Sequence, residues 1–415
     1  MGLADAQSQP LLRDIAGEDA LTGAPDRGIA QTRHVFSARM SRDIDDVEEV
    51  WRILSVGPME SPGQSYNFIR LWIADRGVEH ANKAFVVGEV DGQPVALLPL
   101  HCHRYFGFSV YTWFPRSQVG AYAPVSDYRK LSELGPEGRA SLWSTMIGQL
   151  SDADAVYLRT VPEEIAGYGA LFSELGKALA VETLYRAEFN SWEECDKLQR
   201  SRSRRKHDRQ QGDRLDALGK VEFELVTDRE QGLAAIDVMF RQRSARFKAQ
   251  GIRDTFVEDR LIEFYKTAMC PTSGIDVRLH VLRLDGEIVA VRYNVVEGHR
   301  MFCLISSMSA DPAIQAGSPG KQCLLRVMQT VFDAGIGVFD MGSGFTDEKR
   351  HWCNVQIPVR QHYVGCTLRG QIAVSLHQQF QRLRAQAKAN ETIRRGLRHL
   401  RQLGDRFSAR ATPSE

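Results

Sequence analysis

Residues 311–352, DPAIQAGSPGKQCLLRVMQTVFDAGIGVFDMGSGFTDEKRHW, decide how this chain is read. Their order is loop, helix, strand and loop. Gly317-Ser318-Pro319-Gly320 is a tight turn of small residues. Ser318 suits an N-cap, and Pro319 the first helical position, where a missing N–H is no loss. Leu324, Leu325, Met328, Val331 and Phe332 then recur at helical spacing, and Gly335 ends the run. Residues 337–341 read as a short strand carrying Asp340, followed by Gly342-Ser343-Gly344. A glycine turn opening a helix presents unpaired N–H groups at the positive end of the dipole, which suits phosphate. Lys321 stands in that first turn, where the dipole disfavours a cation unless an anion is also present. An ordinary capped helix with a solvated lysine fits the same residues.

Outward from this stretch, 415 residues are enough for two or three domains. Hydrophobic residues at 43% and charged residues at 25% are ordinary for a globular chain with sizeable cores. A net charge of +1 gives no overall drive toward nucleic acid or membrane. Seven scattered cysteines without a CxxC pair argue against a disulfide framework and a zinc ribbon, and fit a reducing cytoplasm. The N-terminus lacks a signal-peptide pattern, and no apolar run approaches the length of a transmembrane helix. The expected location is the cytoplasm.

Residues 1–33 have no apolar periodicity and read as disordered. Globular patterning begins at Val35. Residues 84–90, the turn Asp91-Gly92 and residues 94–100 form a β-hairpin, followed by a β-like stretch at 105–114, a helix at 140–149 and a strand at 155–160. The order recurs. Residues 280–284, Asp285-Gly286 and residues 288–295 form a second hairpin, and D-G-x-x-V-A is common to both. Two tandem copies of one α/β module are therefore expected, at 34–185 and 186–370. A tail at 371–415 carries an apolar stripe (Leu376, Phe380, Leu383, Ile393, Leu397, Leu400, Phe407) with an arginine-rich opposite face. Packing on the preceding module is the expected role of that stripe, and peripheral membrane contact the alternative.

Between the modules, residues 196–214 hold Arg200, Arg202, Arg204, Arg205, Lys206, Arg209 and Arg214. A groove for an acidic partner and a solvated helix both fit. No aromatic residue stands among the charges to stack on bases, so nucleic acid is not expected. Other motifs fall away. Gly317-x-x-Gly320-Lys321 is too short for a P-loop, and Gln322 replaces its Ser/Thr. Gly342-Ser343-Gly344 lacks the third glycine of a dinucleotide fingerprint and no helical run opens after it. His101 and His103 share one strand face without a partner cluster, so no metal is expected.

A β-hairpin, a third strand, a glycine turn opening a helix and a further strand together resemble the core of the GNAT acyltransferases. From about residue 202 to 363 the order of features is similar to the bacterial GNAT-like proteins associated with cellulose and exopolysaccharide biosynthesis. It runs from the basic helix through Gly219-Lys220-Val221, the D-G-x-x-V-A hairpin and the S-P-G helix start to F-D-x-G-x-G-x-x-x-x-K-x-x-W at residues 339–352. Their Fem-type aminoacyltransferase relatives carry two tandem modules, which would account for the repeat. The resemblance implies a mixed sheet flanked by helices in each module, and acyl transfer from acetyl-CoA or another acyl-CoA to an amine of a small molecule or glycan precursor.

The resemblance further implies that Gly317, Ser318 and Gly320 hold the donor diphosphate through backbone N–H groups, with Lys321 adding charge. The family loop is Gln/Arg-x-x-Gly-x-Gly/Ala; here its spacing is shifted and Pro319 removes one donor. Attack on a thioester needs a neutral amine and hence a base. Asp340, Asp347 and Glu348 are the carboxylates at hand, Lys349 could stabilise the oxyanion, and Tyr293 or Tyr363 could protonate the leaving thiolate. Two other functions stay open: aminoacyl transfer to a peptidoglycan precursor, and a non-catalytic accessory role in polysaccharide synthesis.

Overall fold

The computed structural model describes residues 34–115, 119–251 and 253–389. Chain contacts separate Met1–His34 from one compact unit, Val35–Glu415. The segment expected to be disordered, 1–33, and the apolar positions Ile393, Leu397, Leu400 and Phe407 lie outside the described residues.

The first half opens with β1 (Phe36–Ser41), α1 (Glu48–Leu54) and α2 (Tyr66–Arg76). The hairpin β2 (Lys83–Val90) and β3 (Gln93–Tyr105) follows, then β4 (Phe108–Trp113). Two-residue β5 (Val125–Ser126) rests on β3, and α3 (Tyr128–Glu133) and α4 (Gly135–Ile147) lead into β6 (Ala155–Pro162). A small ribbon, β7 (Glu164–Ile165) with β8 (Tyr168–Gly169), precedes the long β9 (Lys177–Glu188).

The second half repeats the order. It runs α5 (Trp192–Gln199), α6 (Arg202–Asp216), β10 (Val221–Val226), α7 (Arg229–Ala249), α8 (Thr255–Glu258) and α9 (Leu261–Ala268). The hairpin β11 (Asp276–Leu284) and β12 (Glu287–Glu297) comes next, then β13 (Arg300–Met308), α10 (Pro312–Gln315) and α11 (Pro319–Asp333). β14 (Val338–Ser343), α12 (Asp347–Trp352), β15 (Val355–Gly365) and α13 (Leu368–Ala389) complete it.

Both hairpin turns have the geometry that two-residue loops demand. Asp91 and Gly92 sit at φ 52° and 77°, and Asp285 and Gly286 at 49° and 84°. Positive φ at both central residues matches the turn's twist to that of the strands, and Asp-Gly tolerates it best. The apolar runs 84–87 and 95–98 are buried, because helices cover the sheet there.

Among the described residues, thirteen strands form one sheet in the order β1-β2-β3-β4-β6-β15-β9-β14-β13-β12-β11-β10, with β5 on β3. The order reads alike from either edge: outer strand, hairpin, third strand, then a parallel neighbour. β4 pairs in parallel with β6, and β13 with β14. The central strands are exchanged. β15, from the end of the second half, pairs with β6 of the first, while β9 pairs with β14 of the second. β9 and β15 pair with each other, and β9 runs across position 185/186, where one module was expected to end. Edge-to-face contacts of Phe264 with Phe68 and Trp72, at 5.1 and 5.2 Å, also join the halves. The fold is mixed α/β, as expected, but its central strands interlock.

Two local expectations change. The residues after Gly344 are not a loop. They form α12, capped by Thr346, whose hydroxyl accepts from Lys349 N–H at 3.3 Å. The stripe on α13 does not pack: Leu376, Phe380 and Leu383 are 59–64% exposed, with Leu368 and Ile372 on the same side. It is the opposite side, with buried Val374 and with His377 5.7 Å from the Tyr363 ring, that covers β15.

Candidate active site

The register of β13 with β14 lasts three residue pairs, Arg300 with Val338, Met301 with Phe339 and Phe302 with Asp340. Beyond Phe302 the strands part. On its other side β13 carries a bulge: Asn294 faces Cys303 and Tyr293 faces Ile305, leaving Leu304 without an opposite residue. The bulge breaks the alternation, so consecutive Cys303 and Leu304 both reach the opening. A cavity of about 680 Å³ occupies the split. Its walls come from β12 and β13, the end of α7, and the junction of β14 with α12.

Four cations line this cavity, Arg243, Arg246, Arg292 and Lys349, against the single carboxylate of Glu348. Arg292 is the most buried, at 4% exposure. Its guanidinium donates to Gly320 O at 3.2 Å and to Glu348 Oε2 at 3.4 Å, and its Nε has no partner among the described residues. Burial opposes its charge, but the negative potential of Cys303 and Glu348 holds its pKa above the usual guanidinium value. Arg243 lies 4.1 Å over the Phe256 ring and 4.5 Å over that of Phe247, and burial pushes its pKa down. Lys349 donates to Ser343 O at 2.6 Å and Gly342 O at 3.2 Å, and burial lowers its pKa too. A buried guanidinium with an unused N–H costs free energy unless an anion completes it. The cavity is built for an anionic group.

The expected donor loop is arranged differently. Pro319 stands at the first helical position as expected, but Ser318 is no side-chain cap: it sits at φ 51°, and its hydroxyl accepts from Gln211 Nε2 at 2.8 Å. The N–H groups of Gly317 and Ser318 are already used, donating to Ile314 O and Gln315 O at 3.0 and 2.9 Å. Helix α6 roofs the turn, with the Leu215 side chain in the space that a Cβ on Gly317 would need. Gly317 is therefore there for close packing, and neither it nor Ser318 offers a phosphate a backbone donor. Lys321 does not line the cavity either. Only the Gly320 N–H has no partner among the described residues.

Three cations of the basic stretch are neutralised within it. Arg200 and Arg205 pair with Asp196, and Arg200 and Arg204 with Asp208. Two proposed catalytic groups also sit elsewhere than expected. Asp340, 3% exposed, accepts from Arg186 Nε at 2.8 Å and from Gly342 N–H at 2.8 Å. Arg186 pairs in turn with Glu60, and Glu60 with Arg300 at 2.9 Å. Burial opposes the charge of Arg186, and Asp340 and Glu60 override it, holding it protonated. Asp340 is thus a member of a buried ionic network between the halves, with both of its oxygens already engaged. Tyr293 is fully buried under α9, its hydroxyl donating to Tyr265 O at 3.0 Å, well inside the core. Tyr363 lies on central strand β15, against Tyr157 of β6, and does not line this cavity. Glu348 and Lys349 are the two expected residues that the fold does bring into the cavity.

Residues 202–350 match the family model described as Acetyltransferase (GNAT) domain. That segment is similar to the GNAT acetyltransferases. No curated protein matches the sequence. Among solved structures, FemX shares 12% identity over 77% of this chain and 96% of its own, with a TM-score of 0.52. The C-terminal domain of a protein named as a lysylphosphatidylglycerol synthetase, from Agrobacterium fabrum, has 14% identity over 80% and 95%, with a TM-score of 0.48. A tandem GNAT protein from the clavulanic acid pathway has 12% identity over 80% and 98%, with a TM-score of 0.41. The GNAT match begins at α6 and ends in α12, so it takes in the split β13/β14 pair and every cavity wall. Among the described residues no group of three or more His, Cys, Asp or Glu could hold a metal ion, and no helix is long and apolar enough to cross a membrane.

GNAT domains use acyl-CoA, and the residues present fit such a donor in one respect. Arg243, Arg246 and Arg292, with its orphaned Nε, suit phosphate oxygens. The α10–α11 turn contributes at most one N–H. Arg292 was missed in the sequence although it is the one charge within the apolar run of β12, Ile288–Val295, which is the signal that could have found it.

Proposed function

We propose that this protein transfers an acyl group from acyl-CoA to an amine of a small molecule or a precursor of envelope polysaccharide, in the cytoplasm, within the cavity between β13 and β14. The observation that carries this reading is the split strand pair lined by four cations and one carboxylate. Arg243 and Arg246 hold the donor's phosphates, and Arg292, beside Glu348, faces the reacting end. Past Phe302 the edge of β13 that faces β14 has no strand partner, so its backbone groups are free to align the thioester. Glu348 takes the proton from the incoming ammonium, since it is the carboxylate facing the cavity, and Asp340 is tied to Arg186. Lys349, fixed by two carbonyl oxygens, stabilises the negative charge that develops on the carbonyl oxygen under attack. The C–N bond forms as the C–S bond breaks, and the second proton released by the nitrogen passes to the departing sulfur, so that CoA leaves as the thiol.

A differential melting experiment tests this. Acetyl-CoA raises the melting temperature of the wild-type protein, and Arg246→Glu abolishes the shift. No shift with acetyl-CoA or longer acyl-CoA thioesters would remove the CoA donor. One observation favours a second donor. The turn expected to bind diphosphate is closed by its own hydrogen bonds and roofed by α6, and the chain shares its fold with FemX. An aminoacyl ester is the corresponding Fem-type donor, and transfer of labelled amino acid from charged tRNA to a peptidoglycan precursor would select it.

A further inference from the structure

The second parallel pair of the sheet also splits. β4 and β6 pair through Val110 with Ala155 and Tyr111 with Val156, and then part. In the pseudo-symmetric order of strands this is the counterpart of the β13/β14 split. A separate cavity of about 360 Å³ lies there, roofed by α13. Its walls include Val110, Trp113, Tyr157, Tyr363, Val374 and His377. The rings of Tyr157 and Tyr363 stack at 4.9 Å, and His377 stands edge-on to Tyr157 at 5.2 Å. Sites for small ligands fall between about 300 and 1,000 Å³ and are mostly apolar, with a few convergent polar groups.

The polar groups are at one end. Tyr157, Arg159 and His377 are shared with an adjoining groove of about 780 Å³, which adds Arg382 and Arg384 from α13. Glu182 is the acidic side chain on that groove, and no ion pair joins it to these arginines among the described residues. An apolar, aromatic cavity thus opens on three arginines. We infer that this is a second ligand site, one that takes an amphipathic anion: an acyl chain in the aromatic cavity, with its carboxylate or phosphate on Arg159, Arg382 and Arg384. Burial of a chain against the rings supplies affinity, and the arginines orient the head. The ligand comes either as a free fatty acid or as the chain of an anionic phospholipid. The exposed apolar side of α13 is compatible with the second source.

The test is fluorescence titration of the full chain with cis-parinaric acid, alongside flotation with phosphatidylglycerol vesicles. Saturable parinarate binding, or vesicle binding, is expected for the wild type. Ala373→Trp fills the cavity and Arg159→Glu reverses the charge at its mouth; each is expected to weaken binding about tenfold or more. Parinarate binding assigns a free fatty acid, and vesicle binding alone assigns the lipid chain. Arg159 is exposed, so Arg159→Glu decides the matter should the Ala373 variant lose its melting transition. Absence of both kinds of binding in the wild type, or binding indifferent to Arg159→Glu, would overturn the inference.

Discussion

The two parallel strand pairs have the same place in the topology and opposite chemistry. At β13/β14 the walls carry Arg243, Arg246, Arg292 and Lys349; at β4/β6 they carry Trp113, Tyr157, Tyr363 and Val374. A parallel pair with two or three residues in register makes an opening whatever its sequence, because the backbone beyond loses its partner. What the opening binds is then set by a handful of side chains from neighbouring elements. α7 and α12 supply charge at one split, and β15 with α13 supplies apolar surface at the other. The fold repeats, and the chemistry does not.

The sharpest way to break this comparison is to cut the link between the halves. Arg186, from β9, holds Glu60 of the first half and Asp340 of the second. Arg186→Met leaves buried Asp340 without an ion-pair partner and Glu60 with Arg300 alone, and urea unfolding is expected to show a loss of about 3–5 kcal/mol. A loss confined to surface-pair magnitude would mean the halves do not depend on it.

Next in size is acid sensitivity. His280 and His362 are 1% and 3% exposed, and burial pushes each pKa down to about 4. The folded state therefore binds fewer protons than the unfolded chain, whose imidazoles titrate near 6.5. Stability is full above pH 6.5 and is lost as pH falls toward 4, by roughly 3 kcal/mol for each histidine. His362→Phe and His280→Gln are each expected to flatten part of that slope in denaturant titrations at pH 4 to 7. An unchanged slope in both would contradict the burial argument.

Smaller effects separate the two cavities. Glu348→Gln is expected to lower kcat about a hundredfold while the melting shift with acyl-CoA survives, as befits a lost base. An unchanged kcat would move the base elsewhere. Smallest of all, Ala373→Trp, which fills the other cavity, is expected to change acyl-transfer kcat/KM less than about twofold, since distant sites act independently.

Much of the local structure was legible in the sequence. Asp91-Gly92 and Asp285-Gly286 announce two hairpins because little else tolerates two positive φ angles between apolar strands. Residues 221–226 carry the spacing of the strand they form, and residues 319–333 the spacing of α11. β9 was not legible. Its Ala-, Leu- and Glu-containing run, KALAVETLYRAE, has little intrinsic strand preference, and only a place between β15 and β14 makes it extended. Glu348 and Lys349 stand beside the glycine-rich strand end, and the fold brings both to the cavity. The ion pair that engages Asp340 was not legible, because its partner, Arg186, is far away in sequence.

Taken alone, the sequence determined the two hairpins, the helix that Pro319 opens, and the mixed α/β class. Each depends on backbone angles or apolar spacing within about ten residues, so local physics decides it. Tertiary structure alone decided which strands were exchanged, that α6 closes the glycine turn at 317–320, and that cations from α7, β12 and α12 meet in one cavity. Those outcomes depend on which buried surfaces and charges find each other across the sheet, a choice no short stretch of the chain contains.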